Sequence, residues 1–407
     1  GLLPKLAKTG FKGDIYGTGA TVDIAKIVMM DSAKIQEEDA EKKRRRHEKQ
    51  GRTGPFPVAP LYTQEDVELI QSCMKSTRYD EPIDLGAGVV AYFNDVGHIL
   101  GSSSVKIVVK HNGEETSVLF SGDVGRWNTP ILRDPVLIEK ADYVIVESTY
   151  GNRTHKDNDT ISEALATIVN ETRAAGGHVV VPSFAVERTQ ELLYRLNEML
   201  AKGMIEKIPI FLDSPMAIRV TEVFERHPEC FDNETMSLIR SGHHPCDLPG
   251  LTLSRSVDES KAINEVKEPA IIIAGSGMCT GGRIKHHLRN HISRPESTIL
   301  FVGYQAVGTL GRIILEGEKE VRIHGENYAV KARIKKINGF SAHGDRNELL
   351  RWLSGLKNSP KRVFVTHGEP DAANAFAAFV KERKGWSSHV PTYGDEVVLE
   401  NSTSDSG

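Results

Sequence analysis

Cysteine is scarce in this chain. Only four occur in 407 residues, Cys73, Cys230, Cys246 and Cys279, and no two form a Cys-x-x-Cys pair. This spacing suggests neither a disulfide framework nor a thiolate zinc site and fits a reducing cytoplasm. Long apolar runs are missing as well: nowhere do about 18 apolar residues follow one another, so no membrane-spanning helix is expected. Nor does charge of one sign dominate, since 51 Lys and Arg against 55 Asp and Glu leave a formal net charge of -4. Any attraction for a polyanion must therefore come from a local groove. The first residues, Gly1-Leu2-Leu3-Pro4-Lys5, hold neither a start methionine nor a signal peptide and read as the beginning of a truncated chain.

What is present is an ordinary globular composition, 39% hydrophobic and 26% charged, with apolar surface enough for a sizeable core. The length predicts two domains, one of which can interrupt the other. β-Branched and aromatic runs at Val89 to Phe93, Val105 to Lys110, Ser117 to Phe120 and Tyr143 to Val146 predict a β-rich first part. From about Asn152 the rhythm changes. Ile161, Leu165, Ile168 and Val169 have helical spacing, and strands at His178 to Val181, Ile208 to Leu212, Ala270 to Ala274 and Thr298 to Val302 alternate with helices at Glu187 to Leu200 and Gly282 to Leu288. Such alternation predicts a parallel sheet flanked by helices. A helix at Asn347 to Leu356 and a strand at Arg362 to Val365 then return to the character of the first part. The basic run Lys42 to Arg46 reads as a solvated helix face rather than a phosphate contact.

Four strands run out into turns that carry a histidine or a carboxylate: Asp95-Val96-Gly97-His98, Ser121-Gly122-Asp123, Glu147 after Val144-Ile145-Val146, and Thr366-His367-Gly368. Alone, each is more commonly a turn cap. Together they are imidazole and carboxylate donors at one edge of a sheet, the donor types that Zn²⁺ accepts. A fifth segment, Gly339-Phe340-Ser341-Ala342-His343-Gly344-Asp345, leaves the His343 imidazole accessible among small residues. A sixth, Ala274-Gly275-Ser276-Gly277-Met278 followed by Gly281-Gly282-Arg283, is a strand-to-helix turn whose amides, helix dipole and arginine suit a phosphate. His243-His244 and His286-His287 are adjacent pairs unsuited to chelation, and His155 reads as a solvent-facing loop residue.

In order and content these segments resemble the β-CASP branch of the metallo-β-lactamase superfamily, the RNA-processing nucleases. The resemblance also takes in Glu147-Ser148-Thr149-Tyr150-Gly151, Pro182-Ser183-Phe184-Ala185-Val186-Glu187-Arg188 and Asp213-Ser214-Pro215-Met216, so it covers nearly the whole chain. It implies a metallo-β-lactamase αββα sandwich made of residues 1–151 and 339–407, interrupted by a β-CASP domain at 152–338. It further implies that His98 binds one zinc ion, that Asp123 bridges two, and that His367 binds the second. Glu147 and His343 are the implied assisting pair, while Ser276, Gly277, Arg283 and Ser341 are candidates for RNA phosphates. The implied activity is hydrolysis of RNA phosphodiester bonds by a metal-activated hydroxide, in a cytoplasmic protein that can form a homodimer.

The superfamily's His-x-His-x-Asp-His cluster occurs nowhere in the sequence. The chain is expected to begin just past it and to hold zinc weakly or not at all. Two alternatives stand beside the nuclease: a catalytically impaired RNA-binding or scaffold paralogue, and a hydrolase of small molecules of the lactamase or thioesterase type. The long insert over the site disfavours the second.

Overall fold

The computed structural model describes residues 1–54, 56–155 and 159–399, which form two compact units, Gly1–Glu81 and Pro82–Gly407. The first unit holds α1 (Leu3–Lys8), β1 (Ile15–Thr18), α2 (Gly19–Lys49), α3 (Gln64–Cys73) and β2 (Met74–Thr77), with β1 and β2 paired in parallel. Met29, Ala33, Tyr62, Val67 and Ile70 make its small core. Thr18 caps α2, and Thr63 with Asp66 closes a capping box on α3. The expectation of a β-rich first part missed α2, whose 31 residues bury only a sparse set of mostly small side chains. Its basic run is a solvated face. Lys42 pairs with Glu38 and Asp39, Arg45 pairs with Glu41, and cations near a helix C-terminus also offset the partial negative charge there.

The second unit begins with β3 (Pro82–Gly86), β4 (Val89–Asp95), β5 (Ser103–His111), β6 (Glu114–Phe120) and β7 (Tyr143–Val146). There follow α4 (Asp159–Ala174), β8 (Val179–Pro182), α5 (Arg188–Ala201), β9 (Ile210–Asp213), α6 (Pro215–Arg226), α7 (Asn233–Arg240), β10 (Leu251–Leu253) and α8 (Val257–Ala262). The chain continues through β11 (Ile271–Ala274), α9 (Ile284–His291), β12 (Thr298–Phe301), α10 (Leu310–Leu315), β13 (Glu320–Ile323), β14 (Glu326–Ala329) and β15 (Arg333–Lys336). It closes with α11 (Arg346–Leu353), β16 (Arg362–Val365), α12 (Pro370–Lys384) and β17 (Ser388–His389).

Two large sheets result. One has seven strands in the order β17-β16-β7-β6-β5-β4-β3, so the late strand β16 lies directly against β7, more than two hundred residues earlier. Leu349, Trp352 and Leu353 of α11 and Phe376 and Val380 of α12 pack on it against Leu119, Val144, Val146 and Val363. The other has six strands, all parallel, in the order β10-β9-β11-β8-β12-β15. Its central strands are continuous apolar runs because both faces are covered. Val179, Val181, Ile271 and Ile273 enter a core with α4, α5 and α6, whereas the intervening Val180, Ile272 and Ala274 enter a second core with Ile284, Leu288 and Ile314.

Loops at the ends of the seven-stranded sheet are drawn together by backbone contact. Gly125 donates to the Val96 carbonyl at 2.8 Å, Gly344 donates to Val124 at 2.7 Å, and Gly125 bridges to His343. A Cβ at residue 125 would lie 2.0 Å from the Gly97 oxygen and 2.7 Å from the His98 nitrogen, so only glycine permits this approach. Gly125→Ala is expected to lower stability in urea unfolding by about 2 kcal/mol or more, since backbone on both sides must move. A change of a few tenths would show that the loops are not held this closely.

Candidate metal centre and its assisting pair

Glu147 directly follows β7 with its carboxylate inside the protein, 2% exposed. A buried charge of this kind requires donors. The Val124 amide supplies one to Oε1 at 2.6 Å, the Thr149 amide supplies one to Oε2 at 3.3 Å, and Nδ1 of His343 lies 3.0 Å from both oxygens. The Glu147 amide is itself held by Ser121 Oγ at 3.0 Å, which ties the pair to the turn carrying Asp123. Burial pushes the Glu147 pKa up, but the His343 contact and the amides outweigh it and hold the carboxyl below its usual range. Burial likewise pulls His343 down, and the bond and charge of Glu147 outweigh it, so the imidazole lies above its usual value.

Around this pair stand the other expected residues. His98 Nε2 is 3.8 Å from Asp123 Oδ2, and His367 Nδ1 is 3.3 Å from Asp123 Oδ1, so one carboxylate faces a histidine on each side. The His98 and His343 rings are 4.4 Å apart between centroids. Burial first, then the neighbouring His343, pushes His98 down to about 4, so its imidazole is neutral near pH 7 and able to ligate. The donors converge in two groups that share Asp123: His98, Asp123 and His343, and Asp123, Glu147 and His367. Residues separated by 269 positions thus share one site, because β16 returns beside β7 and brings His367 with it.

The phosphate candidates fare differently. Ser341 is half-buried two residues before His343. In the turn after β11 several of the amides expected to be free are engaged: Ser276 N donates to Gly281 O, Cys279 N to Ser276 O and Ile284 N to Gly275 O, while the Thr280 and Gly281 amides donate to Ser276 Oγ. Arg283 donates to buried Asp213 at 2.6 Å and to the carbonyls of Ser254 and Arg255, so its charge is already compensated within the fold. Gly277 is buried beside Ser276.

Several supporting residues were not anticipated. His155 is half-buried rather than solvent-facing; its Nε2 donates to the His343 carbonyl at 3.0 Å and its amide to Asp345 at 2.7 Å. Its position a few residues after Tyr150-Gly151 was the only cue. Arg126 is buried and donates to the Gly339 carbonyl. Arg188 and Arg195 sit over the Phe340 ring at 5.6 and 5.5 Å and are joined through Glu191, which anchors the segment leading to His343 on α5. Glu187 accepts from the Leu100 amide at 3.2 Å, two residues beyond His98.

Comparison with known proteins bears on this geometry. Residues 189–314 match the Beta-Casp domain, and residues 327–391 match the Zn-dependent metallo-hydrolase RNA specificity domain. A ribonuclease of Thermus thermophilus is 36% identical over 400 residues, covering 98% of this chain and 85% of the relative. The chain belongs to the β-CASP family of the metallo-β-lactamase superfamily. Transcription termination factors FttA of Methanosarcina mazei and Methanocaldococcus jannaschii are 30% and 29% identical, and this β-CASP chain spans 58% and 61% of their lengths. A protein of unknown function from Enterococcus faecalis shares the fold at a TM-score of 0.50 and 10% identity, over 95% of this chain and 76% of that one.

The β-CASP family is one of metal-dependent RNA nucleases, and its fold is a metallo-β-lactamase-type α/β structure with an inserted β-CASP domain. The donors present suit a metal. The His98 ring is neutral with Nε2 toward Asp123, and Asp123 offers one oxygen to each histidine. Among the described residues no helix of this β-CASP chain is long and apolar enough to cross a membrane.

Glu187 provides a prediction away from the donors. Burial first, then the charge of Glu191, raises its pKa from 4.5 to about 8. The folded chain therefore keeps a proton that the unfolded chain releases, so the stability linked to it is full below pH about 4.5 and is lost as pH rises through about 8. Thermal unfolding is expected to weaken from pH 5 to pH 9 more steeply in the unaltered protein than in Glu187→Gln. Parallel curves would show that Glu187 is ionised in the fold.

Proposed function

We propose that this chain hydrolyses RNA phosphodiester bonds where His98, Asp123 and His367 hold divalent cations, two zinc ions. The supporting observation is the shared Asp123 carboxylate with a histidine on either side, next to a buried Glu147–His343 pair. Bound cations supply Lewis acidity toward phosphate oxygens and acidify water. The chain's own groups do the rest. Glu147 fixes the His343 tautomer with the proton on Nδ1, leaving Nε2 to present a second proton to a leaving or non-bridging oxygen. Ser341 holds a neighbouring phosphate, and Ser276 and Gly277 line the path of the strand on the inserted domain, residues 152–338. A cytoplasmic setting and a homodimer remain parts of this proposal.

His343→Ala is expected to lower hydrolysis of labelled RNA by about 10² to 10⁴-fold without changing metal content, and unaltered turnover would remove His343 from the mechanism. Glu147→Gln should shift the alkaline limb of the pH–rate profile to lower pH, because the charge that holds His343 in its protonated form is gone.

Metal removal tests the site itself. Hydrolysis is expected to stop with a chelator and to return with Zn²⁺, and Asp123→Ala should abolish uptake measured by calorimetric titration. With three donors the affinity is expected to be low, which also favours a second reading in which this chain by itself binds RNA and turns it over poorly. Hydrolysis of a lactam but not of RNA would reverse the assignment of substrate.

A further inference from the structure

Three neighbouring strands of the parallel sheet, β11, β8 and β12, end side by side, and in open sheets of this kind ligands gather beyond the carboxyl ends. The polar side chains there are largely occupied with each other. Ser183 Oγ is 3.1 Å from Thr189 Oγ1, Ser276 closes its own turn, and Arg283 is bound to Asp213. What reaches solvent is aromatic and apolar: Phe184 just after β8 is 38% exposed, Tyr304 just after β12 is 55% exposed, and Val307 is 82% exposed.

Phe184 is also held in place. A Cβ on Gly277 would fall 2.7 Å from its Cδ2, and one on Gly303 would fall 3.1 Å from its Cε2, so one edge of the ring rests on two glycine backbones. Gln305 Nε2 donates to the Gly277 carbonyl at 2.9 Å and fixes that floor. The loop carrying Phe184 runs on to Glu187, which accepts from the Leu100 amide beside His98, and to Arg188, whose charge is felt at His343. The loop that carries this ring is thus joined to the His98 turn.

We propose that Phe184, with Tyr304 on the adjacent strand end, is a stacking platform for unpaired bases of the RNA next to the bond that is cut; this rests on the RNA reading above. An aromatic ring already immobilised by its support loses little entropy on stacking, and every base has a π-face to offer. Gly303, against which the Phe184 ring rests, directly precedes Tyr304, which places the two aromatic residues on neighbouring loops of the same sheet end. The net charge of -4 gives the chain no general pull on a polyanion, so local contacts, stacking among them, must hold a single strand.

The test is affinity rather than turnover. Titration of the whole chain with a short single-stranded RNA carrying 2-aminopurine is expected to quench its fluorescence on binding. Phe184→Ala and Phe184→Leu should each weaken binding about tenfold, Phe184→Trp should restore it, and Tyr304→Ala should act in the same direction. An abasic nucleotide should weaken binding to the unaltered chain by a similar factor and make no further difference in Phe184→Ala. Leucine binding as tightly as phenylalanine, or an abasic penalty that persists in Phe184→Ala, would overturn the platform while leaving RNA binding intact. If the unaltered chain binds no RNA, the functional reading fails and the platform fails with it.

Discussion

A buried carboxylate is the constraint from which the site follows. Glu147 lies at a strand end without access to water, and an ionised group there is sustained only by donors brought to it. Two amides come from nearby turns, but the third partner, the His343 imidazole, comes from 196 residues away. Once that pair forms, the Asp123 turn on one side and the Gly339 to Asp345 segment on the other are set in register. Through Gly125 the His98 turn is fixed as well. The same contact raises His343 and lowers Glu147, so the interaction that stabilises the architecture also sets the protonation state that acid–base work requires.

The parallel sheet serves this arrangement from outside. Strands covered on both faces are mostly apolar, with buried polar side chains such as Asp213 and Thr298 only at their ends, so the sheet's chemistry lies largely in the loops after its strands. Those loops turn inward to internal networks around Asp213 and Ser276, and toward the His98 turn through Glu187. Phe340, held between two arginines that Glu191 joins, couples the insert to the segment carrying His343. A long polymer threading between strand ends would touch both sheets, which agrees with a family of RNA nucleases.

Much of the fold was legible because burial on two faces leaves a simple trace. The runs at Val179 to Val181, Ile271 to Ala274 and Thr298 to Phe301 admit few other readings, and all are strands of the parallel sheet. Helix α2 was not legible, because its small and widely spaced buried residues make no periodic apolar stripe. Helices α6 to α8 and the hairpin of β13 and β14 also escaped notice, although α6 buries Ala217, Ile218, Val220, Val223 and Phe224 at helical spacing and its periodicity was there to be read.

Within the site, the sequence alone determined which residues could do chemistry: a histidine or carboxylate after an apolar strand has no apolar role there, and five such segments in order carried the family resemblance. Which of those groups meet was decided by tertiary structure. Strand β16 beside β7 makes His98, Asp123 and His367 neighbours, and a buried charge selects His343 as the partner of Glu147. The fold likewise drew His155 in behind His343 and spent Arg283 on Asp213. Hydrogen bonds between residues so far apart leave no local pattern, since each residue's own neighbours in the chain say nothing about which distant group will satisfy it.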